Sequence, residues 1–200
     1  MAAKWLVINE RNEVVVDEGW EWCRFASSDL LNFRADGREG LYDWRSHRVV
    51  IKPSFKSITG PTDSVLVVQD VDSEYCRLID FNGRRVGQET FWHVREFVDG
   101  FAAASREEGA FGFINLAGEW VIPPKFYNVN DFSEGLSAVF SHTGEHFYVD
   151  RNGDPVIEGP FIDAHPFSEG LARVRNENGD HFIDKTGNVI LSGGQEWFHG

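Results

Sequence analysis

Phe97-Val98-Asp99-Gly100 recurs as Phe132-Ser133-Glu134-Gly135 and as Phe167-Ser168-Glu169-Gly170, in steps of 35 residues. A second phrase keeps the same interval. Ile79-Asp80-Phe81-Asn82-Gly83, Ile114-Asn115-Leu116-Ala117-Gly118, Val149-Asp150-Arg151-Asn152-Gly153 and Ile183-Asp184-Lys185-Thr186-Gly187 set their glycines 35, 35 and 34 residues apart. Two phrases locked to one period define a tandem array. Each unit of such an array is one supersecondary element that buries its apolar face only against a neighbour.

The clearest unit is 100–134. Phe101-Ala102-Ala103-Ala104-Ser105 reads as a first strand, C, followed by the loop Arg106-Glu107-Glu108-Gly109. Phe111-Gly112-Phe113-Ile114-Asn115 reads as strand A, and Leu116-Ala117-Gly118 as a three-residue turn whose glycine supplies a positive φ. Glu119-Trp120-Val121-Ile122 is strand B, stopped by Pro123-Pro124, which cannot donate to a ladder. The scheme extends backward with decay, to a hairpin in which His47 stands in the glycine slot and which is expected to be the least regular. The fold class is therefore all-β. It is a single repeat domain over 1–200, with an N-terminal hairpin at 4–16, about five three-stranded antiparallel units at 28–63, 64–99, 100–134, 135–169 and 170–192, and a tail at 193–200. The chain opens on an A-B pair and closes on a B strand, which favours an open curved stack; a closed β-propeller-like ring is the alternative.

These residues resemble the bacterial WG-repeat family, most closely from Phe111 to Phe126 and from Phe132 to Val139, clearly over about 75–192, and by period alone elsewhere. The Trp-Gly pair that names the family is Phe111-Gly112 here, and its glycine is lost at Arg77-Leu78 and Phe147-Tyr148. The resemblance implies a β-rich repeat protein with no catalysis common to the family, and it supplies no active-site residues.

Charge bounds the partners. Nineteen Lys and Arg against 32 Asp and Glu give a formal net charge of −13. Phosphate binding needs clustered cations, so nucleic acid and anionic membranes are excluded as partners, and a basic protein is the complementary one. Cys23 and Cys76 form no metal-ligand spacing and read as free thiols of a reducing compartment. No signal-peptide pattern opens the chain and no apolar run approaches ~18 residues, so a cytoplasmic protein is expected.

A ten-residue linker spans ~33 Å when extended, enough to recross a sheet. All C-to-A loops would then share one rim and all A-to-B turns the other. The loop rim is acidic, with Asp70, Asp72, Glu74, Glu107, Glu108, Glu145, Glu177 and Asp180 as candidate partner-binding residues, and Asp36 and Glu39 in the same class. The turn rim is mildly basic, with Arg45, Arg84, Arg85, Arg151 and Lys185. Trp20, Trp22 and Trp92 lie in linkers as further candidates, and Trp197 in the tail reads as a cover for an open end. Asp150-Arg151-Asn152-Gly153-Asp154 lacks the downstream glutamate of a calcium loop, and His142 and His146 are separated by Gly144, so neither makes a metal site. No nucleophile elbow or phosphate loop is present. The expectation is a non-enzymatic protein-binding module without cofactor or metal, in concrete form an immunity protein or inhibitor of a basic protein such as a toxin. Sugar or cell-wall binding through exposed tryptophans is the alternative.

Overall fold

The computed structural model describes residues 7–8, 14–16, 20–62 and 64–193, and contains no helix among them. The chain divides into two compact units, Met1–Trp92 and His93–Gly200, where the sequence reads as one array.

The second unit shows the repeat at its most regular. β10 (His93–Val94), β11 (Phe101–Ser105), β12 (Phe111–Asn115) and β13 (Trp120–Phe126) form one antiparallel sheet in chain order. β14 (Asn128–Val129), β15 (Ser137–Phe140), β16 (His146–Val149) and β17 (Pro155–Phe161) form the next. β18 (Asp163–Ala164), β19 (Leu171–Asn176), β20 (Gly179–Asp184) and β21 (Val189–Gly193) form the last. The expected strands C, A and B are the second to fourth strands of each sheet. The first strand was not expected: the linker lays two residues back along strand C, as in His93↔Ser105 and Val94↔Ala104. The units are thus four-stranded rather than three-stranded, because a recrossing linker whose peptide groups lie beside strand C satisfies them by pairing with it.

The first unit holds one seven-stranded antiparallel sheet: β3 (Trp22–Phe25), β4 (Leu30–Ala35), β5 (Arg38–Asp43), β6 (Arg48–Thr62), β7 (Val65–Asp70), β8 (Cys76–Ile79) and β9 (Arg85–Phe91), in that order. β6 runs for 15 residues and fuses a strand B with the linker strand that follows it. The N-terminal hairpin is present as β1 (Val7–Ile8) paired with β2 (Val14–Val16). No sheet among the described residues closes on itself. Trp197 and the rest of 194–200 lie outside the described residues.

Both repeated phrases are turns. In Val98-Asp99-Gly100-Phe101 the two central residues take φ of 51° and 81°, and Val98 and Phe101 exchange both backbone hydrogen bonds. This is a two-residue hairpin with positive φ at both positions. It recurs at Glu134-Gly135 and Glu169-Gly170. A Cβ at these three glycines would meet nothing within 4 Å, so conformation rather than space selects glycine. The second phrase is an Asx turn: the Oδ1 of Asp80, Asn115, Asp150 and Asp184 accepts from the backbone N–H groups two and four residues on. These bonds, made to the ionised form, hold the Asp80 and Asp150 carboxyls below their ordinary range, and the Thr186 hydroxyl, ahead of the backbone groups, does the same for Asp184. The His47 hairpin is indeed irregular. Asp43 caps N–H groups two and three residues on instead, and His47 holds φ at 53° in a turn one residue longer.

Stacking builds the core. Phe113 and Ile122 of one sheet meet Val129, Phe132, Val139 and Val149 around the next. Tyr148 and Ile157 of that sheet meet Phe167, Val174 and Ile183 of the last. In the first unit, Leu41, Ile51 and Phe55 pack on Ile58, Leu66, Val68 and Ile79. Burying each such side chain contributes roughly 1.5–3 kcal/mol.

Candidate functional site

Within the second unit the C-to-A loops at 106–110, 141–145 and 176–179 share one rim. Tyr127 links the first two: a Cβ on Gly109 would lie 3.2 Å from its ring, and it sits edge-on to Phe140 at 5.5 Å and to His142 at 5.9 Å. The second and third loops line a common cleft of about 470 Å³, walled by Phe140, His146, Pro160, Phe161 and Ile162, with Glu145 and Glu177 at its lip. A smaller cavity shares Glu145, His146 and Pro160 and adds Glu158. Phe140 and His146 are stacked with ring centroids 4.5 Å apart. Burial lowers the His146 pKa, against the pull of Asp163, with His165 lowering it further.

The candidate acids separate into two groups. Asp70 is gripped by Arg77, whose Nε and Nη2 donate at 2.7 and 2.9 Å, and this bond lowers its pKa. Asp180 is held in the same two-pronged way by Arg175 at 3.1 and 3.0 Å. Neither offers a free charge to a partner. Asp72, Glu74, Glu107, Glu108, Glu145 and Glu177 are exposed. Glu39 is not a loop carboxylate at all. It is buried in β5 and accepts from the Ile58 N–H at 2.8 Å and from Asn32 Nδ2 at 3.0 Å.

The basic rim needs correction too. Arg151 Nη2 lies 3.0 Å from Asp99 Oδ2, and Lys185 Nζ lies 2.9 Å from Glu134 Oε2. Two turn cations are therefore paired with the acids of the Phe-x-x-Gly hairpins. The Glu134 carboxyl is held below its ordinary range first by Lys185 and then by the Gly170 N–H.

Among the tryptophans, Trp20 is only 6% exposed. It stacks on Phe33 at 4.3 Å and meets Tyr42 edge-on at 5.1 Å, so it covers the first sheet and is withdrawn from partner binding. Trp22 is half-buried, with the Arg24 guanidinium 5.3 Å from its ring. Trp92 is 44% exposed and edge-on to Tyr75 at 6.1 Å. It is not outside the repeat pattern. Trp92, Tyr127 and Ile162 each follow the phenylalanine that ends strand B, at intervals of 35, and Tyr127 and Ile162 are 48% and 59% exposed. The signal was available as Phe91-Trp92, Phe126-Tyr127 and Phe161-Ile162, and differing side-chain chemistry hid it.

Cys23 and Cys76 are free, and burial raises both thiol pKa values. Among the described residues, no group of three or more His, Cys, Asp and Glu side chains is placed to hold a metal ion, and no helix is long and apolar enough to cross a membrane.

Residues 111–140 and 147–179 match the model of the WG containing repeat. These two stretches of the chain are WG-containing repeats. Its WG repeats share an overall fold with propeller-like proteins. The computationally designed Ika8 protein superposes with a TM-score of 0.52 at 13% identity over 90% of this chain and 65% of that one. Hsv2p of Kluyveromyces lactis does so with a TM-score of 0.52 at 14% identity, over 90% of this chain and 67% of that one. This chain thus spans about two thirds of their length. No curated protein matches it.

The structure explains the glycine of the WG pair. Phe111↔Phe126 and Phe113↔Ile122 bracket a bulge of Pro123, Pro124 and Lys125 opposite Gly112. A Cβ at Gly112 would lie 2.3 Å from the Ile122 carbonyl oxygen and 2.7 Å from the Pro123 carbonyl carbon. Gly40 faces Ile51 in the same way, at 2.7 Å. One repeat on, the register puts His146-Phe147 rather than Phe147-Tyr148 at the WG pair, and there the glycine has crossed to the partner strand. A Cβ at Gly159 would lie 2.4 Å from the His146 carbonyl oxygen. Either strand can supply the missing Cβ at the bulge.

Proposed function

We propose that this WG-repeat-containing protein is a non-enzymatic binding module, and that its C-to-A rim receives a basic protein. The observation that carries this reading is the alternation on that rim of exposed apolar residues, Tyr127 and Ile162, with loop carboxylates that have no cationic partner among the described residues, Glu107, Glu108, Glu145 and Glu177. Apolar contacts framed by like charges give affinity at the centre and steering at the border. The net charge of −13 adds long-range attraction for a cationic surface. In its concrete form the module is a cytoplasmic inhibitor or immunity protein that occludes a basic protein such as a toxin, with the acidic rim standing in for a polyanionic substrate.

Capture from a lysate of the source organism tests this. The immobilised protein retains a basic protein that is released as salt rises from about 0.05 to 0.5 M, where screening lengths shrink several-fold. Replacing Glu107, Glu108, Glu145 and Glu177 with Gln abolishes capture, while replacing the turn residues Glu119 and Asp154 with Asn or Gln leaves it intact. Retention of acidic proteins, or capture indifferent to the four loop substitutions, overturns the proposal.

A further inference from the structure

We infer that the cleft between the 141–145 and 176–179 loops is a receptacle for one arginine side chain of that basic partner. The inference rests on the proposed function for the partner's identity, but its geometry stands by itself.

The preceding repeat supplies its own cations to the rings at the equivalent positions. There the Arg95 guanidinium lies 5.5 Å from the Phe111 ring centroid, Arg106 lies 5.7 Å from that of Trp120, and Lys125 Nζ lies 5.2 Å from that of Phe126. One repeat on, 35 residues later, all three cations are gone: the positions hold Asn130, Ser141 and Pro160. Two of the three rings keep a ring at the equivalent position, His146 for Phe111 and Phe161 for Phe126, while Trp120 becomes Pro155; Phe140 stacks on His146. The acids increase, because Glu158 replaces the neutral Pro123 and joins Glu145 and Glu177 around the cavities. This repeat has thus kept two of three rings, gained acids and lost its cations.

The space agrees with an external occupant. Tyr127, which closes over Gly109 in the preceding repeat, is replaced in this one by the shorter Ile162, and the cleft of about 470 Å³ opens beside it. Neighbouring charges do not fill it. Arg175 is held by both oxygens of Asp180, and Arg173 lies 3.6 Å from Asp163. Glu145, Glu158 and Glu177 form no ion pair among the described residues. An arginine suits this lining in both its parts: its methylene stem lies along Pro160, Phe161 and Ile162, and its planar guanidinium reaches the lip carboxylates and the aromatic faces together.

The test is an NMR titration of the isotope-labelled full chain with the tripeptide Gly-Arg-Gly, and with Gly-citrulline-Gly, which keeps the shape and removes the charge. The arginine peptide shifts amide signals of 144–146, 160–162 and 176–178 saturably, and the citrulline peptide does not. The E145Q/E177Q pair weakens binding about tenfold, in line with the loss of charge-assisted bonds. I162R, at an exposed position that lines the cleft, places a cation there in cis and closes the cleft to the peptide, with an unchanged melting temperature confirming an intact fold. Equal shifts from both peptides, or arginine binding unaffected by I162R and by E145Q/E177Q, overturn the inference. The two proposals fail separately. A basic partner still captured by I162R leaves the rim reading standing without the arginine cleft. A cleft that takes Gly-Arg-Gly in a protein that captures no basic partner does the reverse.

Discussion

Phe132→Ala costs this protein about 3–5 kcal/mol of folding stability, as expected for a large aromatic truncated in a packed core. Phe132 opens the second Phe-x-x-Gly phrase and is buried between two sheets, with its ring 4.4 Å from Phe113 and 5.6 Å from Phe101. Its removal empties the seam that joins successive repeats rather than a site inside one sheet. The residue at the equivalent turn offers a control: Val98→Ala, on a side chain that is 38% exposed, changes stability by less than about 1 kcal/mol. Chemical denaturation followed by tryptophan fluorescence measures both. A loss below about 1 kcal/mol for Phe132→Ala would mean that the sheets do not depend on one another.

Gly112→Ala is the smallest possible chemical change and is expected to cost about 3 kcal/mol or more, by forcing a backbone shift at the bulge. The added carbon would sit 2.3 Å from the Ile122 carbonyl oxygen, and the obstacle is backbone, which cannot rotate away as a side chain would. Gly159→Ala, on the opposite side of the corresponding bulge and 2.4 Å from the His146 carbonyl oxygen, is expected to cost as much. Gly144→Ala is the comparison for conformation alone, since a Cβ there meets nothing within 4 Å and only its φ of 90° is strained. Thermal unfolding of the three variants ranks them, and a Gly112→Ala protein as stable as Gly144→Ala would contradict the close-approach account of the WG glycine.

The period was legible because it recurs in residues with strong backbone preferences. Glycines at 100, 135 and 170 and Asx residues at 80, 115, 150 and 184 specify turns, and turns specify the hairpins between them. The linker strands were not legible. His93-Val94, Asn128-Val129 and Asp163-Ala164 are too short and too mixed to carry a periodicity, and they exist because tertiary packing brings the linker beside strand C. The candidate site was readable only as a class of residue. Loop position predicted exposure for Glu107, Glu108, Glu145 and Glu177, but not that Asp70 and Asp180 would each face an arginine on a neighbouring strand. Glu39 was misassigned because it precedes Gly40 at the edge of a loop, whereas its carboxylate turns inward to cap the Ile58 N–H across the sheet. Trp20 was misread for the converse reason: a tryptophan in a linker has no periodic neighbours to declare it buried.

Hydrogen–deuterium exchange of the full chain with and without protamine, an arginine-rich polypeptide, tests the central claim most directly. The account predicts protection of the loops at 106–110, 141–145 and 176–179, with the turns at 115–119, 150–154 and 184–188 exchanging as in the free protein. Protection confined to those turns, or none anywhere at saturating protamine, would contradict it.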